Sequence, residues 1–304
     1  MIKLSAGFFI FICSVFHLTG QGCSDAGLCT VESLKPIQME EQSDFANKLS
    51  FGLSFGAADY EIAVYGGGLG YTREFGEKWS VDTKITFLSQ GGNDIHVVGA
   101  GDIFINLNHK VSSKVTVSMG AKIPLMQADR SEDGLPMPMD YQSSLGTLDF
   151  LGSISYAANN WFFAIGAQIP LEQNNNQFVA GLYPSDSPLS EFQSTNLFQR
   201  SADLILRVSR SFQVNESFTI SPGLLPIFHL QEDKYTDIDG MVDEVVSIEG
   251  SDGLTLNANV FFNYDLKSNN ALEFSIGFPF IVREARPDGL TRSFVFGLNY
   301  IKSF

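Results

Sequence analysis

From about residue 49 to residue 304 this chain is written in short alternating segments. In the cleanest, Val115, Val117, Met119, Ala121 and Ile123 alternate with Thr116, Ser118, Gly120 and Lys122. Leu254, Leu256, Ala258, Val260 and Phe262 alternate with Thr255, Asn257, Asn259 and Phe261. Leu204, Leu206 and Val208 follow the same rule, as do Leu272, Phe274, Ile276 and Phe278. A period of two puts successive side chains on opposite faces of a strand, so each segment has one apolar and one small or polar face. Such a chain closes into a sandwich or a barrel. Beyond the first twenty residues no stretch reaches the ~18 uninterrupted apolar residues of a spanning helix. Any membrane crossing is therefore made by strands.

The connections separate the two outcomes. Short polar turns are expected at 74–78, 108–113, 157–160, 211–217 and 265–270. Between them fall 90–96, 127–145, 172–196, 231–253 and the shorter 283–289. Short and long connections alternate, as in an outer-membrane barrel with tight periplasmic turns and longer external loops. A sandwich has no reason to sort its loops this way. The expectation is an all-β, transmembrane antiparallel β-barrel over residues 49–304, with about twelve strands. Residues 49–72 are the weakest part of the count, because Gly66-Gly67-Gly68 interrupts the alternation; ten or fourteen strands also fit.

The N-terminal residues add a compartment. Residues 1–20 carry Lys3, an apolar run from Phe8 to Phe16 and small or polar residues at Thr19-Gly20. This is the layout of a cleaved secretory signal. Residues 21–48 then form a periplasmic or lumen-inserted segment. Cys23 and Cys29 lie just inside it, and in an oxidising compartment a small disulfide loop is their simplest fate. Lipidation of Cys23 is the alternative. The net charge of −15 argues against a nucleic-acid partner but not against a membrane, since acidic residues can sit in external loops.

The strand expectation also sorts the charges. Asp82, Lys84, Asp102, Lys122, Asp149, Asp203, Arg207 and Glu273 fall on faces opposite apolar ones. A charge in hydrocarbon costs a few kcal/mol near the midplane, so these eight are expected to face the lumen. They read equally as a polar permeation path or as a salt-bridged filling of a narrow barrel. Val117, Met119, Phe150, Ile154, Leu204 and Leu206 are then expected to face lipid. A repeat, Gly120-Ala121-Lys122-Ile123-Pro124-Leu125 and Gly166-Ala167-Gln168-Ile169-Pro170-Leu171, marks strand ends leading to external loops.

The last segment resembles the C-terminal sorting strand of outer-membrane barrels. Phe294, Phe296, Leu298, Tyr300 and Phe304 share one face, broken by Lys302, while Ser303, Asn299 and Gly297 share the other. The likeness implies the outer membrane as location, with its lipid and the barrel-assembly machinery as partners. Gly99-Ala100-Gly101-Asp102, the Gly-x-x-Ile-Pro-Leu strand ends and Leu145-Gly146-Thr147-Leu148-Asp149-Phe150 resemble outer-membrane barrels of the MetA-pathway phenol-degradation family. Those are related to the long-chain fatty-acid and aromatic-hydrocarbon transporters. The resemblance implies a barrel passing small apolar molecules, often with an N-terminal segment inside the lumen. A non-transporting envelope barrel is the alternative.

Chemistry is thin. His96, His109 and His229 have no adjacent nucleophile and read as isolated surface histidines. Asp237, Asp239, Asp243 and Glu244 lack calcium-loop spacing and read as a solvated loop. No enzyme activity, cofactor or metal is expected.

Overall fold

The computed structural model describes residues 34–36, 46–238, 243–266, 268–289 and 293–304. Twelve strands form one antiparallel meander closed on itself. They are β1 (Asn47–Ala57), β2 (Ala63–Phe75), β3 (Trp79–Gly92), β4 (Ile95–Lys110), β5 (Val115–Pro124), β6 (Leu148–Ala158), β7 (Trp161–Glu172), β8 (Asp203–Arg210, continued after Ser211 by Phe212–Asn215), β9 (Phe218–His229), β10 (Gly253–Leu266), β11 (Asn270–Ile281) and β12 (Phe294–Ser303). Each strand pairs with its neighbours in sequence, and β12 pairs with β1 along the register Lys48↔Ser303 to Ala57↔Phe294. Closure leaves no sheet edge, the condition for strands to cross a bilayer. Asn47 and Phe304 exchange backbone hydrogen bonds of 2.9 and 3.2 Å just beyond the last paired rung.

The outward faces make the barrel a transmembrane one. Leu53, Leu69, Met119, Ile154, Ile165 and Leu298 are each about half exposed, as an apolar belt. Phe150 belongs to it, and Val117, Leu204 and Leu206 are partly covered by neighbours. Aromatic side chains flank the belt. Toward the short turns stand Tyr71, Trp79, Tyr156, Trp161, Tyr264 and Tyr300. Toward the long loops stand Tyr65, Phe87, Phe278 and Phe280. Two such girdles suit rings that prefer the headgroup level. The chain is an outer-membrane barrel, and among the described residues no helix is long and apolar enough to cross.

The sorting of connections departs from the sequence expectation at one end. Among the described residues, 76–78, 111–114, 159–160, 216–217 and 268–269 lie in tight turns at the end that also holds Asn47 and Phe304. At the other end 125–147, 173–202, 230–252 and 282–293 are long, but 90–96 is not a loop. There β3 runs to Gly92, β4 starts at Ile95, and only Asn93-Asp94 turn the chain, at φ 53° and 61°. Two consecutive left-handed residues make the hairpin turn whose twist matches the strands, and Asn and Asp tolerate it.

Gly66-Gly67-Gly68 does not interrupt a strand; it lies inside β2. A Cβ on Gly66 would stand 2.3 Å from Ser54 Oγ, and one on Gly52 would stand 2.2 Å from Asn299 Oδ1. Gly297 stands in the same relation to Ser275. On the inner face of β11, β12, β1 and β2, glycines therefore alternate with Ser or Asn, whose side chains lie over the neighbouring glycine. The alternation was present all along, with hydrogen as the inward side chain.

Among the prolines, Pro124 ends β5. Pro170 and Pro279 lie where the register slips, opposite Asp149 and Asn257. A residue without N–H suits a bulge, where a ladder bond is already missing.

Candidate functional site

The interior has two unlike halves. Along β4 to β9 the inward side chains Phe104, Leu151, Phe162, Ile205, Leu225 and Ile227 are buried in one apolar cluster, and Leu34 packs among them with no exposure. Along β11, β12, β1 and β2 the wall is the glycine face with its Ser and Asn neighbours, and it leaves space. A cavity of about 190 Å³ lies against it, reached by Lys35, Lys84, Arg207 and Glu273. Lys35 Nζ lies 2.9 Å from Glu273 Oε1, so residues 34–36 touch both halves.

Of the eight charges named from sequence, Asp82, Lys122, Asp149, Asp203, Arg207 and Glu273 are buried and Lys84 and Asp102 half-buried, in separate groups. Asp82, buried, accepts hydrogen bonds from Asn106 and Asn108 at 2.9 and 2.7 Å, toward the short-turn end. Lys122 and Asp149 form one ion pair at 2.9 Å; Lys122 also donates to Thr147 Oγ1. Asp102 accepts from Ser144 Oγ at 2.6 Å, and Lys84, half-buried, lines the cavity nearby. A bulge between Ile85 and Phe87 re-aims this part of β4. There Thr86 Oγ1 accepts from Asp102 N at 2.8 Å and replaces a ladder bond. Arg207, buried, lies over the Phe261 ring, 5.3 Å from its centroid. Asp203 belongs to a larger cluster at the outer rim.

That cluster is what sequence reading missed. His229 is not an isolated surface histidine: it is buried, with Nδ1 2.7 Å from Asp203 Oδ1 and Nε2 2.7 Å from Asp233 Oδ1. Two carboxylates facing both ring nitrogens are satisfied when both nitrogens donate, as in the imidazolium. Arg200 pairs with Asp203, and Arg283 Nη2 lies 3.0 Å from Asp288. Arg283 Nη1 donates to Ser251 O at 2.6 Å. Three acids thus meet two guanidiniums and one imidazole. Burial alone would favour the neutral form of Arg200, but Asp203, Asp288 and Asp233 outweigh it and raise its pKa. Burial pushes the Asp288 carboxyl up, yet Arg283 and Arg200 prevail and hold it below the usual carboxylate range. Its members come from β8, β9 and three long loops, and no local pattern links Arg200, Asp233, Arg283 and Asp288. His96 lies 3.1 Å from Ser89 Oγ, and the His109 ring lies tilted against Trp79, centroids 4.1 Å apart.

The long loops fold over the outer mouth as a cap with its own apolar packing. Met137, Tyr141, Phe178 and Phe192 form one cluster, seated on Val64 of β2 and Val97 of β4. Ala128, Met139, Leu145, Phe198 and Ile248 form another. Asn176, fully buried, donates to the carbonyls of Ala128 and Met137 and accepts from Phe178 N and Thr195 Oγ1. Gln90 of β3 donates to Asp140 O and Gln142 O, tying the cap to the wall. Gly289 (φ 64°) meets 139–140 so closely that a Cβ there would stand 2.6 Å from their backbone. Of the acidic stretch, Asp237 and Glu244 pair across a small hairpin, Lys234–Asp237 with Glu244–Ser247. Asp239 lies outside the described residues, as do Cys23 and Cys29.

No family model and no curated protein matches this chain. Solved structures are similar in outline. The NanC porin is 11% identical over 85% of this chain and 99% of its own, with a TM-score of 0.46. The CymD monoaromatic hydrocarbon channel is 10% identical over 95% of this chain and 99% of its own, with a TM-score of 0.47. The Ralstonia pickettii toluene transporter TbuX is 11% identical over 95% of this chain and 100% of its own, with a TM-score of 0.44. Nothing about cargo follows from likenesses this distant.

Proposed function

We propose that this barrel passes small molecules, apolar ones among them, across the outer membrane. The observation that carries the reading is the unequal lumen. One half is packed with side chains, while the other is kept open by glycine and serine, the two residues least able to fill it. A barrel needed only as a wall gains from filling its interior throughout. Of the eight charges, Lys84, Asp102, Arg207 and Glu273 are, in this reading, the polar frame around the open side.

Residues 34–36 are part of an inner plug, on the strength of Leu34 in the apolar cluster and Lys35 against Glu273. A Cys23–Cys29 disulfide closes the start of the N-terminal segment, and mass spectrometry without reduction checks it. Phe294, Phe296, Leu298, Tyr300 and Phe304 are the face offered to the barrel-assembly machinery. An apolar cargo follows from the short-motif likeness to the MetA-pathway barrels.

One observation favours the alternative of a barrel without transport: the charges are largely paired with one another, notably Lys122–Asp149 and the rim cluster. Liposome swelling separates the two. Reconstituted barrel should admit small neutral solutes, and a variant lacking the cap residues 177–194 should admit them faster. Vesicles no more permeable than protein-free ones, with either variant, would mean a sealed barrel.

A further inference from the structure

The charges on the open side of the lumen are not presented equally. The cavity of about 190 Å³ is lined by Lys35 and Lys84, and a smaller one of about 30 Å³, toward the short-turn end, by Lys35 and Lys48. All three lysines are half-buried, so part of each reaches the open space. The acids mostly turn away from it. Glu273 is buried, and its Oε1 accepts from Lys35 Nζ and Asn299 Nδ2, each at 2.9 Å. Asp288 is 1% exposed and is held by Arg283, which stands outside the cavity lining. Asp102 is the half-buried acid of the lining, and Ser144 donates to it. In a chain of net charge −15, the open side thus presents mainly ammonium groups.

A glycine gives Lys84 its place. A Cβ on Gly68 would stand 3.0 Å from Lys84 Cε and 4.0 Å from its Nζ. With hydrogen there instead, the lysine stem runs past Gly68 on the inner face of β2, and its ammonium lies along the open wall. Phe104, Phe261, Met139 and Leu145 give the same cavity its apolar surface. An ammonium carries three donors, so it can meet a guest carboxylate in addition to groups of the wall. An anion that leaves water without meeting a cation is strongly disfavoured, and so is a cation brought against other cations.

We propose that this cavity binds a small organic anion, a monocarboxylate on a compact apolar body, and that Lys84 is the group that meets the carboxylate. The proposal rests on the reading that solutes enter the lumen and names their class. An apolar cavity of about 150 Å³ holds benzene, so this one takes a guest of roughly eight non-hydrogen atoms. Lys35 and Lys48 continue the same sign toward the short-turn end, and a cleft of one sign concentrates ions of the other.

Cyclopentanecarboxylate, cyclopentanecarboxamide and cyclopentylmethylammonium are close in size and differ in charge. Their binding to the full chain in phosphatidylcholine nanodiscs can be read by saturation-transfer NMR at neutral pH, with empty nanodiscs subtracted. The carboxylate should give about three times the transfer of the other two, as befits an ion pair partly open to solvent. Raising the salt from about 50 to about 500 mM should weaken the carboxylate signal and leave the amide signal as it was. Lys84→Gln should bring the carboxylate down to the level of the amide, and Lys84→Arg, which keeps the charge, should restore the preference. The salt response is read in the unaltered protein, so it stands even if a variant fails to fold. Equal signals for carboxylate and amide, or a preference for the ammonium, overturn the proposal. A preference that survives Lys84→Gln overturns the part given to Lys84. Liposome swelling keeps the two readings apart. Carboxylate binding without solute passage sinks transport and spares the site. Passage without carboxylate preference sinks the site and spares transport.

Discussion

The Lys122 ammonium lies 2.9 Å from a carboxylate oxygen of Asp149, directly across the ladder between β5 and β6, and both side chains are essentially removed from solvent. Gln168 from β7 donates to the same carboxylate oxygen. The pair therefore joins three adjacent strands from the inside. Removing one member strands the other, which typically costs about 3–5 kcal/mol, whereas replacing both with apolar residues is often neutral. Lys122→Met should lower stability by that amount in urea-induced unfolding from lipid vesicles. Lys122→Met combined with Asp149→Leu should recover most of it. A double variant as weak as the single one would mean that the charges do more than satisfy each other.

Met119 is 56% exposed on the outer face of the same strand, three positions before Lys122. Met119→Arg should cost about 2–4 kcal/mol of folding into bilayers if that position lies near the midplane. Met119→Leu should be close to neutral. The same refolding titration reads both, and a tolerated arginine would place residue 119 at the headgroups.

Acid should loosen the cap before it unfolds the barrel. Asp288 has a folded pKa below its unfolded value, so its contribution is complete above about pH 4 and is lost as pH falls through the folded value. Hydrogen exchange of residues 282–289, corrected for intrinsic rates, should stay slow at pH 5 and accelerate progressively as pH falls below about 4. Asp288→Asn should exchange fast throughout that range. An unaltered pH profile in that variant would assign the acid response to another group.

Two glycines should behave oppositely. A Cβ at Gly120 would stand 2.3 Å from Ile105 O, a backbone atom that moves only with the sheet, whereas nothing lies within 4 Å of a Cβ at Gly67. Gly120→Ala should cost about 1–3 kcal/mol through overpacking. Gly67→Ala should cost nothing and can gain up to about 1 kcal/mol by reducing the freedom of the unfolded chain. Thermal unfolding in detergent compares them directly.

The strands were legible because a lipid exterior enforces a strict period of two, and Val115 to Ile123 shows it without exception. The apolar cluster of the interior was obscured for the same reason. In Leu204-Ile205-Leu206 and Phe162-Phe163-Ala164-Ile165 both faces are apolar, and period alone does not say that Ile205 and Phe162 pack inward. Gly66 and Gly68 were misread because hydrogen carries no polarity to alternate. The rim cluster was hidden for a different reason. Arg200, Asp233 and Arg283 lie far apart in sequence, in loops with no periodicity, and only closure of the barrel brings them to His229. Asp203 was found because it sits on a strand; its partners do not.

The glycine and serine face also settles how the ring is fastened. At the rungs Gly52–Asn299 and Ser54–Gly297, where the first strand meets the last, little side-chain bulk is available inside to interlock. The grip is on the outside, where Phe51 meets Tyr300, Leu53 meets Leu298 and Phe55 meets Phe296. That join is clamped by surrounding acyl chains rather than by a core, so its strength belongs jointly to the protein and to the thickness of the membrane that holds it.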